Sequence, residues 1–186
     1  MKIILASNSP RRKEILSANN IVFDVLPSTV DEVVLDELSV YENVMNLAKL
    51  KCMDVFEKNP DRIVLAADTI VVYENKIFGK PKNEEDALWM LDKLQGNTHE
   101  VITGVAIAYK DKVITKYCVS KVVFKTATKE ELIEYIETGE PMDKAGSYAI
   151  QGIGSKFIDS YVGEFDNIVG LPIKLVLEIF EELNIE

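Results

Sequence analysis

The sequence predicts a single α/β domain over residues 1–186, with a mixed, twisted sheet and flanking helices, and its length leaves room for either one lobe or two lobes around a cleft. Three observations support this class. Short apolar runs typical of buried strands alternate along the chain with segments of helical periodicity. Residues 98–125 instead contain two long strand patterns in succession, which predicts an antiparallel meander in the middle of the chain. The hydrophobic content of 47% and charged content of 28% are typical of a globular domain with a substantial core.

The first 70 residues contain two predicted helices and three predicted strands. Ser9 suits the N-cap of a helix and Pro10 its first position, where a missing N–H costs nothing. Ser39 and Glu42 form a capping box that opens a long helix ending near Glu57. The strands of this part are predicted at residues 2–6, 21–26 and 62–67, and an irregular acidic stretch covers residues 27–38.

The middle of the chain is predicted to contain a small hairpin, a helix and the meander. Two short strands, at residues 70–73 and 76–78, flank a tight turn. Asn83 caps a helix whose apolar positions share one face, and Gly96 ends that helix. The two long strands that follow pair across a turn near Asp111.

The last third begins with a second capping box, formed by Thr128 and Glu131, and its helix extends to Glu137. Residues 143–166 mix glycines with short strand patterns. A final helix over residues 172–183 is expected to bury one face, consisting of Ile173, Val176, Leu177, Phe180 and Leu183.

The turn between the first strand and the first helix has the character of an anion site. Its residues are Ser7, Asn8 and Ser9, and Arg11 and Arg12 follow in the first helical turn. A helix N-terminus directs free N–H groups and the positive end of its dipole at one point, and arginines add donors that fit phosphate. The alternative is a solvated start of an amphipathic helix, although the dipole disfavours cations there. We expect a polyphosphate to bind at this turn.

Asp68 is the strongest candidate for a chemical role. It follows a buried apolar strand, at the carboxyl end where α/β proteins place catalytic and binding residues. Lys51 and Lys80 are further candidates for anion binding. A turn-forming aspartate is the simpler alternative. A hard cation such as Mg²⁺ would need a second carboxylate, for which Asp31 and Glu32 are the candidates, unless these are merely solvated acids of an acidic loop.

Charge and composition exclude several classes of function. The net charge of −10 disfavours a broad surface for duplex nucleic acid. No apolar run is long enough to span a membrane, and the first residues lack the charged and apolar regions of a signal peptide. Because Cys52 and Cys118 also lack metal-type spacing, we expect a cytoplasmic protein. The chain has one histidine, His99, which excludes a histidine-rich zinc site, and we expect His99 to be a surface or hairpin residue.

These pieces, in this order, resemble the Maf family of nucleoside triphosphate pyrophosphatases over nearly the whole chain. Five separate segments carry the resemblance, which makes it far more specific than any single motif. They are Leu5–Arg12, Ala67–Val71 together with Gly79–Pro81, Asp143–Gly146, Ile150–Gly152 and Val169–Pro172.

The resemblance implies an activity, a fold and a cofactor. The expected reaction splits a nucleoside triphosphate between its α and β phosphates and releases pyrophosphate. The expected fold is a long mixed sheet with two lobes around a cleft, as in Maf and ITPase-like proteins, often as a homodimer. A divalent cation, Mg²⁺ or Mn²⁺, is required.

The resemblance also assigns roles to individual residues. Asp68 corresponds to the proton acceptor and, with Glu32, to the metal ligands. Ser7, Arg12, Lys51 and Lys80 fall on positions associated with the triphosphate, and Arg11, Thr69 and Gln151 on positions that tune substrate choice.

The residues at these last positions resemble the dTTP/UTP branch of the family, with modified pyrimidine nucleotides as a further class of substrate. The branch that prefers 7-methyl-GTP has an aromatic residue after the proline, a Gln after the Asp, and Glu-Gly in place of Gln151-Gly152. Two rival functions stay open: a nucleotide-binding regulator of septum formation with little turnover, and a generic phosphatase that releases orthophosphate.

Overall fold

A computed structural model describes residues 2–185 and confirms the mixed α/β class. Seven strands form one sheet in the order β2-β1-β3-β5-β6-β7, and β4 pairs with β3. The strands are β1 (Ile3–Leu5), β2 (Phe23–Val25), β3 (Val64–Tyr73), β4 (Lys76–Phe78), β5 (Thr98–Tyr109), β6 (Lys112–Phe124) and β7 (Ile158–Val162). The helices are α1 (Pro10–Ala18), α2 (Val40–Phe56), α3 (Glu84–Leu94), α4 (Lys129–Glu137), α5 (Phe165–Val169) and α6 (Ile173–Glu182).

The chain divides into two compact units, of which the first contains residues up to 69, residues 103–118 and residues from 170 onward. In this unit β1 pairs in parallel with both β2 and β3, so that Ile4 lies opposite Asp24 on one side and Val64 on the other. The inner face of α2, which includes Ala48 and Cys52, packs on β1 and β3 and on the small residues of β5. Burial of this apolar face fixes α2 on the sheet.

The second unit contains residues 70–102 and 119–169. Its core joins α3 and α4 to β6 through aromatic residues, among them Phe124, Tyr135 and Phe157. The predicted hairpin is confirmed, because β3 and β4 pair antiparallel with Val71 opposite Phe78. Both predicted capping boxes, which belong to α2 and α4, are confirmed as well.

β3 corrects one sequence expectation, since its ten residues form a continuous strand where two separate strands with Asp68 between them were predicted. The main chain continues through Asp68 and Thr69 because each polar side chain has a partner within the fold. Asp68 pairs with Lys51, and Thr69 bonds to Thr103 on β5. Paired polar groups remove the main cost of placing them in a strand.

Two further differences concern the C-terminal third. α5 was not predicted, and the stretch before β7 forms short 3-10 segments instead of strands. In α6, Leu177 is 43% exposed, so its predicted inward position is wrong, and Ile179 is fully buried. The buried stripe is centred between Val176 and Phe180, and Leu177 lies beyond its edge.

Of the two positions expected for His99, the surface one is wrong, because this residue is only 2% exposed. β5 is an interior strand of the sheet. The His99 imidazole packs edge-on against Phe124 and Tyr148, at centroid distances of 5.0 and 5.3 Å, and its Nε2 lies 2.7 Å from the Tyr148 hydroxyl. Burial lowers the pKa of His99 to about 3, so the folded chain holds a neutral imidazole.

We expect this histidine to make stability depend on pH. The unfolded chain binds a proton on His99 below pH 6.5 and the folded chain does not until about pH 3, so stability is complete above pH 6.5 and falls as the pH decreases through that window. At pH 5.5 the loss is about 1.4 kcal/mol. Urea unfolding at pH 7.5 and 5.5 measures it. His99→Gln should abolish most of this difference, and an unchanged difference in that variant would assign the effect to other groups.

Within residues 2–185, no helix combines the length and apolar character needed to cross a lipid bilayer.

Candidate active site

The turn after β1 is held by its own hydroxyl group. Ser9 occupies the N-cap position of α1 and Pro10 the first helical position, as predicted, but the Ser9 side chain makes no capping bond. Instead the Ser7 hydroxyl accepts from the Ser9 main-chain N–H at 3.2 Å. This bond sets the path of the chain into α1, and the first helical turn contains both arginines.

Arg12 ties this turn to two other parts of the first unit. Its Nε donates to the Gly170 carbonyl at 2.8 Å, while its two terminal nitrogens donate to the Ser7 hydroxyl at 3.1 Å and the Thr69 hydroxyl at 3.2 Å. Burial lowers the pKa of Arg12 from its usual value of 12.5, and the nearby Asp68 charge opposes that shift. A guanidinium has five N–H donors, so donors beyond these three can meet a phosphate oxygen.

Thr69 is positioned by the register of the strands. Leu5 at the end of β1 lies opposite Leu65, so β3 runs on past β1 and presents Asp68 and Thr69 beyond that pairing. The Thr69 hydroxyl lies 3.0 Å from that of Thr103 on β5. Thr69 therefore links Arg12 to the interior of the sheet.

Lys51 joins the two carboxylates that the sequence singled out. From the penultimate turn of α2, its ammonium contacts Asp68 Oδ1 at 2.5 Å and Glu32 Oε1 at 2.7 Å. The side chains of Lys51 and Asp68 are 12% and 8% exposed, whereas that of Glu32 is 49% exposed. The ion pair between Lys51 and Asp68 is thus sheltered from solvent, whereas the ion pair between Lys51 and Glu32 is open to solvent on the Glu32 side.

The loop that contains Glu32 is irregular, yet α2 fastens it at two places. The Asn43 side chain, 2% exposed, accepts from the Leu35 main-chain N–H at 2.8 Å and donates to three carbonyls of residues 35–39. Asp54 accepts from the main-chain N–H of Thr29 at 2.8 Å. Two anchors on one helix hold Glu32 over Lys51, which the sequence pattern could not show.

These residues fit a hard divalent cation that also takes ligands from a substrate. No group of three or more His, Cys, Asp or Glu side chains suited to a metal ion occurs among the described residues. Glu32 and Asp68 nevertheless bring two carboxylates to one ammonium. Mg²⁺ and Mn²⁺ prefer oxygen donors, and Mg²⁺ is often held by one or two carboxylates with water and phosphate oxygens completing the shell.

Lys80 and Gln151 belong to the second unit, and both are exposed. Gly79, next to Lys80, accepts from the Gly146 main-chain N–H at 3.0 Å. Gly146 has φ +67°, and a Cβ there would lie 2.8 Å from the Val71 side chain, so this contact requires glycine. Gln151 lies just before a 3-10 turn that is capped by Gly152 and covers Ile153–Phe157.

Several residues that shape these groups were missed by the sequence analysis. The Gly170 carbonyl accepts from Arg12 and the Thr103 hydroxyl bonds to Thr69, and no sequence motif marks either contact. Glu140 follows the predicted end of a helix at Glu137 and belongs to no motif, yet its carboxylate accepts from the main-chain N–H groups of Ile153 and Gly154, just after Gln151. Among these residues, Gly170 lies in one of the five segments that carry the family resemblance, and this was a sequence signal that could have pointed to it.

Comparison with known proteins gives a match along the chain. The family model described as Maf-like protein matches residues 2–183. A protein of Bacillus cereus named dTTP/UTP pyrophosphatase is 49% identical over 185 residues, which cover 100% of this chain and 97% of that protein. A protein of Bacillus thuringiensis subsp. konkukian with the same name has the same identity and coverage. Among solved structures, the Ham1 protein of Staphylococcus aureus gives a TM-score of 0.49 at 16% identity, over 98% of this chain and 99% of that one.

Proposed function

The chain belongs to the Maf family, and we propose that it hydrolyses dTTP and UTP to the nucleoside monophosphate and pyrophosphate. The observation that carries the chemistry is the sheltered Asp68 carboxylate, paired with Lys51 and adjacent to the arginine-bearing turn. Relatives 49% identical along the whole chain and named for this activity support the substrate class.

The first task of such a site is to neutralise a triphosphate. Arg12 and the Ser7 hydroxyl are already joined at 3.1 Å, and further N–H donors of Arg12 can hold a phosphate oxygen. Lys51 uses two donors on carboxylates, and its third is available for phosphate. The resemblance also associates Lys80 with the triphosphate. Fixed positive charges of this kind stabilise the charge that develops on a leaving pyrophosphate.

Asp68 orients and deprotonates the attacking water. The Asp68 carboxylate is more sheltered than the Glu32 carboxylate, and the contact with Lys51 holds its orientation. The proton of the water passes to Asp68, the water oxygen bonds to the α phosphorus, and the bond to the bridging oxygen breaks. A divalent cation held by Asp68 and Glu32 would polarise the phosphate and help to ionise the water.

Gln151 is the proposed reader of the base. Uracil and thymine present an N3–H donor flanked by carbonyl acceptors, and a carboxamide offers both an acceptor and donors to that edge. Cytosine reverses part of the pattern and leaves a polar group unpaired, at a cost of about 1–3 kcal/mol. Gln151→Glu should therefore reduce the preference for UTP over CTP, as measured by the ratio of kcat/KM values. An unchanged ratio would place base reading elsewhere.

The deciding experiment is product analysis with Mg²⁺ or Mn²⁺ and a panel of dTTP, UTP, CTP, ATP, GTP and 7-methyl-GTP. Pyrophosphate with monophosphate from dTTP and UTP supports the proposal. Release of orthophosphate would indicate a phosphatase. Ligand-induced stabilisation without any product would favour the nucleotide-binding regulator. Omission of the metal, with EDTA present, should abolish turnover.

The cellular setting follows from the substrate. We place the protein in the cytoplasm, where the nucleotide pool lies, and the thiols of Cys52 and Cys118 suit that reducing compartment. Assembly as a homodimer stays a prediction of the family resemblance.

A further inference from the structure

A single carboxylate lies against the main chain that follows Gln151. Glu140 Oε1 accepts from the Ile153 main-chain N–H at 2.9 Å, and Oε2 accepts from that of Gly154 at 2.8 Å. Oε2 also accepts from the Tyr135 hydroxyl at 2.7 Å. We call this arrangement of Tyr135, Glu140 and the two amides the Glu140 clamp.

The residues around the Glu140 clamp hold its carboxylate in place. Tyr135 is fully buried in α4, and its ring packs against Phe157 with a centroid distance of 5.2 Å. α4 ends at Glu137, and two residues later the φ of +76° at Gly139 turns the chain so that Glu140 faces back toward Tyr135. The Glu140 N–H donates to the Thr138 hydroxyl at 3.2 Å. The carboxylate is therefore fixed at both its main chain and its oxygens.

The held turn has a conformation that depends on the clamp. Gly152 has φ +109° and ψ −156°, which only glycine adopts readily, and a Cβ there would collide with Glu140 Oε1. On the other side the Ser155 hydroxyl donates to the Gly152 carbonyl at 2.7 Å. A Cβ on Gly154 would lie 2.9 Å from the Ala149 carbonyl, so the chain packs tightly at Gly154, while Gln151 is exposed.

The Glu140 carboxyl group is ionised at neutral pH and therefore accepts hydrogen bonds at both oxygens. Partial burial raises the pKa of Glu140, but the hydrogen bonds from Tyr135, Ile153 and Gly154 outweigh it and leave the pKa below its usual value of 4.5. An ionised carboxylate accepts at both oxygens. A carboxamide would place an N–H₂ donor where one of the three donors now points.

We propose that Glu140, oriented by Tyr135, is a positioning residue that aims the Gln151 side chain and thereby sets selectivity for uracil and thymine over cytosine. This inference rests on the proposed function of Gln151 as base reader. Glu140 acts through the main chain of the turn and does not itself touch the substrate. The simpler alternative is a carboxylate that only stabilises the turn, and it predicts lost stability with unchanged selectivity.

The experiment compares Glu140→Gln with the matched variant Glu131→Gln. Glu131 is the capping-box carboxylate of α4 and accepts from the Thr128 main-chain N–H at 2.7 Å, so the same chemical change is made in the same unit. Dissociation constants are measured for the α,β-imido analogues of UTP and CTP, which cannot be split between those phosphates. KM and kcat for UTP and CTP are measured in parallel, with melting temperatures.

Glu140→Gln should lower the UTP-to-CTP affinity ratio by about tenfold, with KM for UTP raised far more than kcat is lowered. Glu131→Gln should keep the wild-type ratio. Tyr135→Phe leaves the hydrogen bonds from the Ile153 and Gly154 N–H groups to Glu140 in place, so it should lower the UTP-to-CTP affinity ratio less than Glu140→Gln does. A wild-type ratio in Glu140→Gln, or equal losses for both nucleotides, would overturn the proposal, as would a wild-type protein that binds both analogues equally. Failure of the proposed function is separate, since it appears as absent pyrophosphate release by the wild type whatever the affinities are.

Discussion

Replacement of Asp68 by Asn should lower the turnover of UTP by about 10²- to 10⁴-fold while the chain stays folded. The amide keeps the shape of the carboxylate and an acceptor for Lys51, whose ammonium still contacts Glu32 at 2.7 Å. It cannot take a proton from water, and it is a weaker ligand for a hard cation. Pyrophosphate release measured at saturating UTP gives the effect directly, and circular dichroism reports the fold.

The matched control is Asp24→Asn. Asp24 also forms ion pairs, with Lys2 at 2.6 Å and Arg62 at 2.9 Å, but it lies on β2 and its side chain is 44% exposed. Exposed ion pairs contribute little to stability, so this variant should retain wild-type turnover. Near-normal activity of Asp68→Asn would remove the proposed base, and equal losses in both variants would indicate a general effect of lost charge.

Replacement of Gly104 by Ala should destabilise the chain by about 3 kcal/mol or more. Gly104 lies in β5 directly beneath α2, and an added Cβ would clash with the Val44 carbonyl and come within 3.1 Å of the Met45 nitrogen. These are main-chain atoms of a helix packed on the sheet, so no side chain can move to make room. Urea unfolding measures the free-energy difference, and activity should fall as well because α2 bears Lys51.

Gly79→Ala provides the comparison for this prediction. An added Cβ at Gly79 has nothing within 4 Å, and no left-handed φ is required there. The same change of glycine to alanine should leave stability unchanged or raise it by about 0.4–1 kcal/mol, through a less flexible unfolded chain. Similar destabilisation by both substitutions would contradict the close approach of α2 to β5.

The local signals of the sequence predicted most individual elements well. The capping boxes at Ser39 and Thr128 marked helix starts because the bonds they make span only three residues. The turn at Glu74 and Asn75 was recognised from its neighbours, and both residues have positive φ, which suits a two-residue hairpin. Asp68, Lys51 and Glu32 were selected as candidates from residue type and the family resemblance, and the structure brings these three together.

The sequence by itself therefore determined the α/β class, the main helix boundaries and the residue types of the candidate site, because periodicity and capping are local properties. Only the tertiary structure decided that β3 runs unbroken through Asp68, that His99 is buried and that Glu140 holds the turn after Gln151. Each of these depends on partners distant in sequence: Lys51 is 17 residues from Asp68, Tyr148 is 49 from His99, and Gly154 is 14 from Glu140. A polar residue's own neighbours do not say whether the fold supplies it with a partner, and that supply decides whether it can be buried.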